Sequence, residues 1–365
     1  MGISFYDFKN LHHETFRQRV LERFKNIVDT GSFVEGEFNK KFETEFAKLQ
    51  GAKHCLLVAN GTDALEISLV ASGVGVGDRV GVPGITFYAT AEAVLNIGAI
   101  PVFIDVDYNT GLICPESFKR VSEKYVLKAV MPVHIYGLPC DMEAINKIAS
   151  DKKIPVIEDA AQAQGALVHT GPVGSSGNLT TFSFYPTKNL SAMGDAGCIL
   201  TDSDELAKKI DVIRNHGRGD ENALGRNSRC DHMQAAVLHL KLEEISHNNQ
   251  LREEVAEKYF EALKDLPIGL LAKKYIRSSS WHLYPIQLDD KEKASGLLIH
   301  LQAKGIGCTS FYERALSQEP PLVEYDGEKT EAEKRAGRTV CLPMHPFLTD
   351  DDINTIASEV KSFLS

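Results

Sequence analysis

The chain has 365 residues, 43% hydrophobic and 25% charged, with 40 Lys plus Arg against 50 Asp plus Glu for a formal net charge of −10. This length buries a core without disulfide or metal staples and predicts about two domains, and the composition excludes a disordered or collagen-like chain. The acidic balance lacks the positive field that a nucleic-acid backbone requires, so no nucleic-acid partner is expected; a local site for a small anion is still allowed.

The seven cysteines, Cys55, Cys114, Cys140, Cys198, Cys230, Cys308 and Cys341, are at least 26 residues apart. Without a CxxC pair, zinc knuckles and thioredoxin-like chemistry drop out, and scattered thiols fit a reducing compartment. No apolar run approaches the ~20 residues of a membrane helix. The opening MGISFYDFKN has no secretory apolar region and carries Tyr6 where myristoylation needs Ser or Thr. These features predict a cytoplasmic α/β protein with no membrane partner and no metal: the 12 histidines show no ligand spacing.

Taken in chain order, HCLLVA (54–59) predicts a buried strand that ends at Asn60-Gly61-Thr62, where a helix over 63–73 begins. Gly61 lets another backbone approach, and the helix start with the Thr62 hydroxyl favours an anion; a plain capped turn is the simpler alternative. GVGVGD (73–78) follows a helix and precedes a strand, the reverse of a dinucleotide fingerprint, so it reads as a loop. RVGVP (79–83) predicts a strand, with Phe87 and Tyr88 just beyond it as candidate ring contacts or core residues, and a helix follows over 89–98. Strands are predicted over 101–106 and 127–136, a helix over 141–153, and a strand over 154–160. That last strand delivers Asp159 to its C-terminal end, where a carboxylate holds a cation, a metal or a protonated heterocycle nitrogen, or simply caps a helix. GPVGSSGN (171–178) lacks the lysine of a phosphate loop. In TTFSFY (180–185) Ser183 and Tyr185 share a face opposite Phe182 and Phe184. Lys188 follows in a loop, and CILT (198–201) predicts the next strand. Residues 231–266 read as one long helix, broken near His247-Asn-Asn249. Beyond it, WHLYPIQL (281–288) and GIGCTSFY (305–312) read as strands and 291–305 as a helix.

Mostly continuous apolar strands alternating with helices predict a parallel sheet covered on both faces, with ligands at the strand C-termini. The division is a large domain over 1–245 and a smaller α+β domain over 246–365. A loop lysine, a strand-end carboxylate, an anion-ready helix start and a nearby aromatic together fit pyridoxal 5′-phosphate, which needs a Schiff-base amine, a partner for its ring nitrogen, a phosphate cradle and a flat contact.

Ordered blocks including GSFVEGEFNKKFETEFA, ANGTDALEISL, VPGITFYATAEAV, GAIPVFIDVD, PVHIYGLPCDMEAI, IPVIEDAAQAQGA, FSFYPTKNLSAMGDAGCILTD and NSRCDHMQAAVLHLKL resemble the sugar-nucleotide aminotransferases of the DegT/StrS family. The resemblance implies the type I fold of pyridoxal-phosphate-dependent transferases: a mostly parallel seven-stranded sheet flanked by helices, plus a smaller C-terminal α+β domain. By position it implies Lys188 as the Schiff-base lysine, Asp159 as partner of the ring nitrogen and Gln162 near the cofactor's 3-hydroxyl. It implies Gly61, Thr62 and Ser183 on the phosphate and Phe87 on the ring. Asn227 corresponds to a phosphate contact donated by a neighbouring subunit, which implies a homodimer; Arg229 and Tyr312 correspond to positions near the nucleotide-sugar. The implied reaction aminates a nucleotide-linked ketosugar, keto at C-3 or C-4, with glutamate as the expected donor. An aminotransferase for a cyclitol ketone and a cofactor-binding regulator without catalysis are the alternatives. Ser191 stands where glycine is common, and Phe311–Leu316 departs from the more usual run in the substrate region.

Overall fold

Residues 2–365 are described in a computed structural model. Seven strands make the principal sheet: β1 (His54–Val58), β2 (Arg79–Pro83), β3 (Ile100–Ile104), β4 (Ala129–Val130), β5 (Ile157–Asp159), β6 (Leu179–Ser183) and β7 (Gly197–Thr201). Four are ordered β1-β7-β6-β5 and three β3-β2-β4. Single parallel pairings of Val130 with Val156 and of Val133 with Asp159 join the two groups into one sheet. β7 runs antiparallel to both β1 and β6, so those two are parallel to each other. The β5–β6, β2–β3 and β2–β4 pairs are parallel as well. The C-terminal ends of β1, β2, β5 and β6 therefore open on one edge.

Continuous apolar strands are buried on both faces. Leu56 and Val58 of β1 face one core with Ile199, while Cys55 and Leu57 face another with Phe42, Phe46, Phe182 and Phe184. The helices covering these faces include α1 (Glu14–Thr30), α2 (Glu37–Gln50), α3 (Gly61–Ala71), α4 (Ala89–Asn96), α5 (Pro115–Lys124), α6 (Met142–Lys152) and α7 (Asp204–Arg214).

Three expectations are corrected. The long helix is two, α8 (His232–Leu242) and α9 (Ile245–Leu263), and it breaks at Glu243-Glu244, where the amides turn back to Leu240 and Lys241, rather than at 247–249. The apolar period passes through this joint without proline or glycine, so no local signal marks it. The strand expected over 127–136 is ladder only at Ala129–Val130. Pro132 removes a donor there, and the chain then closes a 3₁₀ turn at Ile135–Gly137 with Tyr136 at φ 62°. The run 305–312 makes only single pairings, Ile306 with Ile3 and Thr309 with Cys341. The second sheet is instead β8 (Tyr284–Gln287) antiparallel to β9 (Thr339–Leu342), packed with α10 (Lys291–Ala303) and, after the short α11 (Thr330–Arg335), α12 (Asp350–Leu364).

Candidate active site

Four strand exits supply the site. At the end of β1, the Asn60 side chain accepts the Asp63 amide at 2.8 Å and caps α3. The cap satisfies one of the orphan donors of this helix start; the amides of Gly61 and Thr62 lie ahead of it and face outward from the dipole's positive end. A Cβ on Gly61 would lie 2.7 Å from Ser183 Cβ, so only glycine lets the end of β6 close against the helix start. The close approach brings Ser183 against the Gly61–Thr62 helix start, and donors of this kind at a helix N-terminus suit an anion.

Asp159 ends β5, and its side chain is buried. Its Oδ1 accepts the Ala161 amide at 3.1 Å and its Oδ2 accepts the Thr90 hydroxyl at 2.9 Å; Thr86 lies 3.0 Å from Thr90 in turn. Burial raises the carboxyl's pKa, opposed by those two donors and by the Lys188 charge. Lys188, in the loop after β6, is pushed down to about 8 by burial, with Asp159 pulling the other way. Burial thus brings the amine's loss of its proton closer to neutrality than for an exposed lysine, beside a carboxyl whose own pKa burial raises. His282, fully enclosed, is held well below the ordinary imidazole value by burial and by the charges of Lys188 and Arg252, so it stands beside Lys188 as a neutral ring.

Behind Asp159, on the other face of β5, lies a closed polar network. The Cys140 amide donates to His134 Nδ1 at 3.0 Å, which places the ring proton on Nε2, 2.8 Å from Glu158 Oε2. Ser176 and Asn178 donate to the other Glu158 oxygen. Burial would raise Glu158, but these partners, His134 first, hold its carboxyl below the usual value. The His134 amide also donates to the Asp159 carbonyl at 3.0 Å, so the network fixes the strand that presents Asp159.

Phe87 and Tyr88, alternatives from sequence, are separated by burial. Phe87 is 65% exposed at the sheet edge, whereas Tyr88 packs against a core. Gln162 is brought to the site, its Oε1 accepting the Tyr136 amide at 2.6 Å and its Nε2 donating to the Tyr312 hydroxyl at 2.9 Å. Tyr312, at φ 61°, and Tyr136 meet edge to face with ring centroids 5.7 Å apart. Left-handed backbone at two tyrosines is strain of the kind that functional sites retain. Asn227 and Arg229 are not joined to this group within the chain. Asn227 is exposed and pairs with Asn215; Arg229 donates to Asn215 Oδ1 at 3.2 Å and leaves its Nε without a partner. Their loop meets the site through Ser228, whose hydroxyl accepts the Ala59 amide at 3.1 Å, and through Arg226, which pairs with Asp63 and Glu66 of α3.

Sequence reasoning missed Thr90, His134, Glu158 and His282. Glu158 adjoins Asp159 in the VIEDA run, and strand alternation alone shows that the two carboxylates face opposite ways. Nothing local connects Thr90 to a carboxylate 69 positions later.

A family model of DegT/DnrJ/EryC1/StrS aminotransferases matches residues 14–361. The chain belongs to this aminotransferase family. Curated relatives match it nearly end to end. It is 36% identical to a "pleiotropic regulatory protein" of Geobacillus stearothermophilus, over 96% of each chain. It is 36% identical to the UDP-2-acetamido-2-deoxy-3-oxo-D-glucuronate aminotransferase of Pseudomonas aeruginosa, over 99% of this chain and 100% of that one. It is 37% identical to a UDP-N-acetyl-3-dehydro-alpha-D-glucosamine 3-aminotransferase of Acidithiobacillus ferrooxidans, over 97% and 96%. Among solved structures, DesV of S. venezuelae, in complex with a ketimine intermediate, superposes with TM-score 0.94 at 32% identity, covering 100% of this chain and 99% of that one. The NtdA protein of Bacillus subtilis, with bound cofactor PMP, gives 0.88 at 30%, covering 96% and 82%. The aminotransferase fold expected from sequence is thereby established.

Proposed function

We propose that this chain is a pyridoxal-phosphate-dependent aminotransferase that moves an amino group from glutamate to a nucleotide-linked ketosugar with its carbonyl at C-3. The observation that carries the reading is the convergence of Lys188, its pKa near 8, and the buried Asp159 on one sheet edge with the Gly61–Thr62–Ser183 cradle. The position of the carbonyl rests on the two sugar-nucleotide relatives, whose names both specify a 3-oxo or 3-dehydro sugar.

The residues fit the cofactor's parts. Gly61, Thr62 and Ser183 would hold its phosphate, Asp159 its ring nitrogen and Phe87 one ring face, with Gln162 beside the 3-hydroxyl. When bound, the cofactor supplies an electron sink for the carbon that carries the amino group. Asp159, screened from water, keeps a proton on that nitrogen. Lys188, as a free amine, would take the proton from the donor's α-carbon and, in the second half-reaction, would deliver one to the sugar carbon. A carboxylate donor leaves as its 2-oxo acid and the sugar leaves as the amine, so amino group and oxygen exchange without an outside oxidant.

We further propose a homodimer in which Asn227 reaches the partner's phosphate cradle and Arg229 lies toward the nucleotide-sugar with Tyr312. Support comes from the exposed Asn227 and from exposed Phe33, Val34 and Met193; Phe33 and Met193 are tied to the start of α8, where the His232 amide donates to the Phe33 carbonyl and Gln234 clasps Met193. Exposed large apolar side chains of this kind support an interface there. The domain division is proposed at 245, where α9 begins, and a cytoplasmic location accords with seven free cysteines. The regulatory reading, favoured by the Geobacillus relative's name, is weighed against by the intact Lys188 and Asp159.

The deciding experiment is half-reaction spectroscopy. The aminated enzyme, made with glutamate, is mixed with 3-keto and 4-keto sugar nucleotides and with a cyclitol ketone. Recovery of the starting absorbance with the 3-keto sugars supports the reading. Recovery only with the 4-keto sugars or the cyclitol overturns the substrate, and a chain that takes up no cofactor overturns the whole.

A further inference from the structure

The loop that carries Lys188 is held from outside by α8. Gln234 Oε1 accepts the Met193 amide at 2.9 Å, and its Nε2 returns a bond to the Met193 carbonyl at 3.2 Å. Two turns further along the helix, Lys241 Nζ donates to Ser191 Oγ at 2.8 Å. Between these clips the Ala192 amide donates to the Phe184 carbonyl at 2.7 Å, and Asn189 is bound to Asn249 and to the Ser280 carbonyl.

Lys241 is an unusual choice for this position. It is 5% exposed, yet the Ser191 hydroxyl is its one hydrogen-bond acceptor among the described residues. Glu244, from the start of α9, acts on it only through space. The ring of Phe16 lies 5.7 Å from Nζ, and His12, ahead of α1, is held down to about 4 by burial first and then by the charges of Lys241 and Arg17. Burying an amine among apolar residues is costly, and a methionine would fill the same space without that cost. What the amine adds is a single directed bond, and that bond ends three residues from Lys188.

We infer that Lys241 is a positioning residue for transamination: through Ser191 it sets the loop that presents Lys188, without touching cofactor or substrate. The inference rests on the reading of Lys188 given above. The test compares Lys241→Met, Ser191→Ala and the double variant with the wild type. In the cofactor-free proteins, hydrogen exchange at the Ala192 and Met193 amides should quicken about tenfold in each variant, the scale of one lost hydrogen bond. In the loaded proteins, the pH midpoint of the cofactor's visible band should move. The single-turnover rate with glutamate should fall about tenfold while KM for the sugar nucleotide stays within about twofold. The double variant should match the single ones, because both remove the same bond. Unchanged exchange and an unchanged midpoint, or effects that simply add, overturn the inference. If Lys241→Met does not fold, Ser191→Ala decides alone by the same readouts. A wild type whose visible band is absent, or survives Lys188→Ala, refutes the reading of Lys188 instead, while the exchange data on cofactor-free protein still judge the clasp.

Discussion

Lys241→Met also makes a stability prediction whose sign is counter to a simple contact count. Burial lowers the Lys241 pKa from the ordinary 10.5 to about 7 in the folded chain. At about 1.4 kcal/mol per tenfold change in proton affinity, the buried charge costs the fold at most about 5 kcal/mol. The full cost applies below pH 7, where the amine is charged in both states. Between pH 7 and 10.5 the unfolded chain binds the extra proton, so wild-type stability rises with pH through that window. The methionine variant lacks this rise. Between pH 6.5 and 9.5 the wild type should therefore gain up to about 3 kcal/mol on the variant, by the same linkage. At pH 6.5 the variant should be the more stable one, even after losing a hydrogen bond worth about 1 kcal/mol. Lys188 titrates in the same window, so Ser191→Ala, which frees the same loop but keeps Lys241, is the control for its share. Urea unfolding of the cofactor-free proteins at the two pH values measures it. Parallel profiles, within about 0.5 kcal/mol, the usual scatter of independent sites, would refute the account of Lys241 as a buried amine only partly compensated by Ser191 and Glu244.

Other predictions follow from the same geometry. Gly61→Ala places a methyl 2.7 Å from Ser183 Cβ; overpacking of this kind costs about 1–3 kcal/mol, so titration of the cofactor-free protein should show affinity at least about tenfold weaker, and unchanged affinity would remove the cradle. Thr90→Val keeps the shape and deletes the 2.9 Å bond to Asp159. Its loss raises the carboxyl further, so the acid limb of the pH–rate profile should move to higher pH, whereas an unmoved limb would detach Thr90 from the site. Asp159→Asn should slow the first half-reaction more than Thr90→Val does, in the same stopped-flow assay. Mixed dimers of Asn227→Ala and Lys188→Ala subunits should recover activity that neither parent has; verified heterodimers without recovery would place Asn227 outside the partner's site.

The parts of this molecule set by short-range chemistry are legible in the chain. Continuous apolar runs such as HCLLV and RVGVP have one stable environment, a strand covered on both faces, and the sheet followed from them. Asp159 and the Asn60–Gly61–Thr62 turn stand out because each sits where a strand ends, and Lys188, in the loop beyond β6, stands out by their company; parallel strands deliver their ends to one edge. What tertiary structure alone decided lies between residues far apart in sequence. Thr90 meets Asp159, His134 meets Glu158, and Lys241 meets Ser191, each partner ordinary within its own segment. Burial, a property of the assembled layers, chose Phe87 over Tyr88 for the open edge. It also ended a helix at Glu243-Glu244, where packing of α8 and α9 on different neighbours overrode an unbroken period. Composition and pattern thus pointed to the fold and to Lys188 and Asp159 as candidates, while the low dielectric of the interior, which no single segment creates, pushes the Lys188 amine down to about 8.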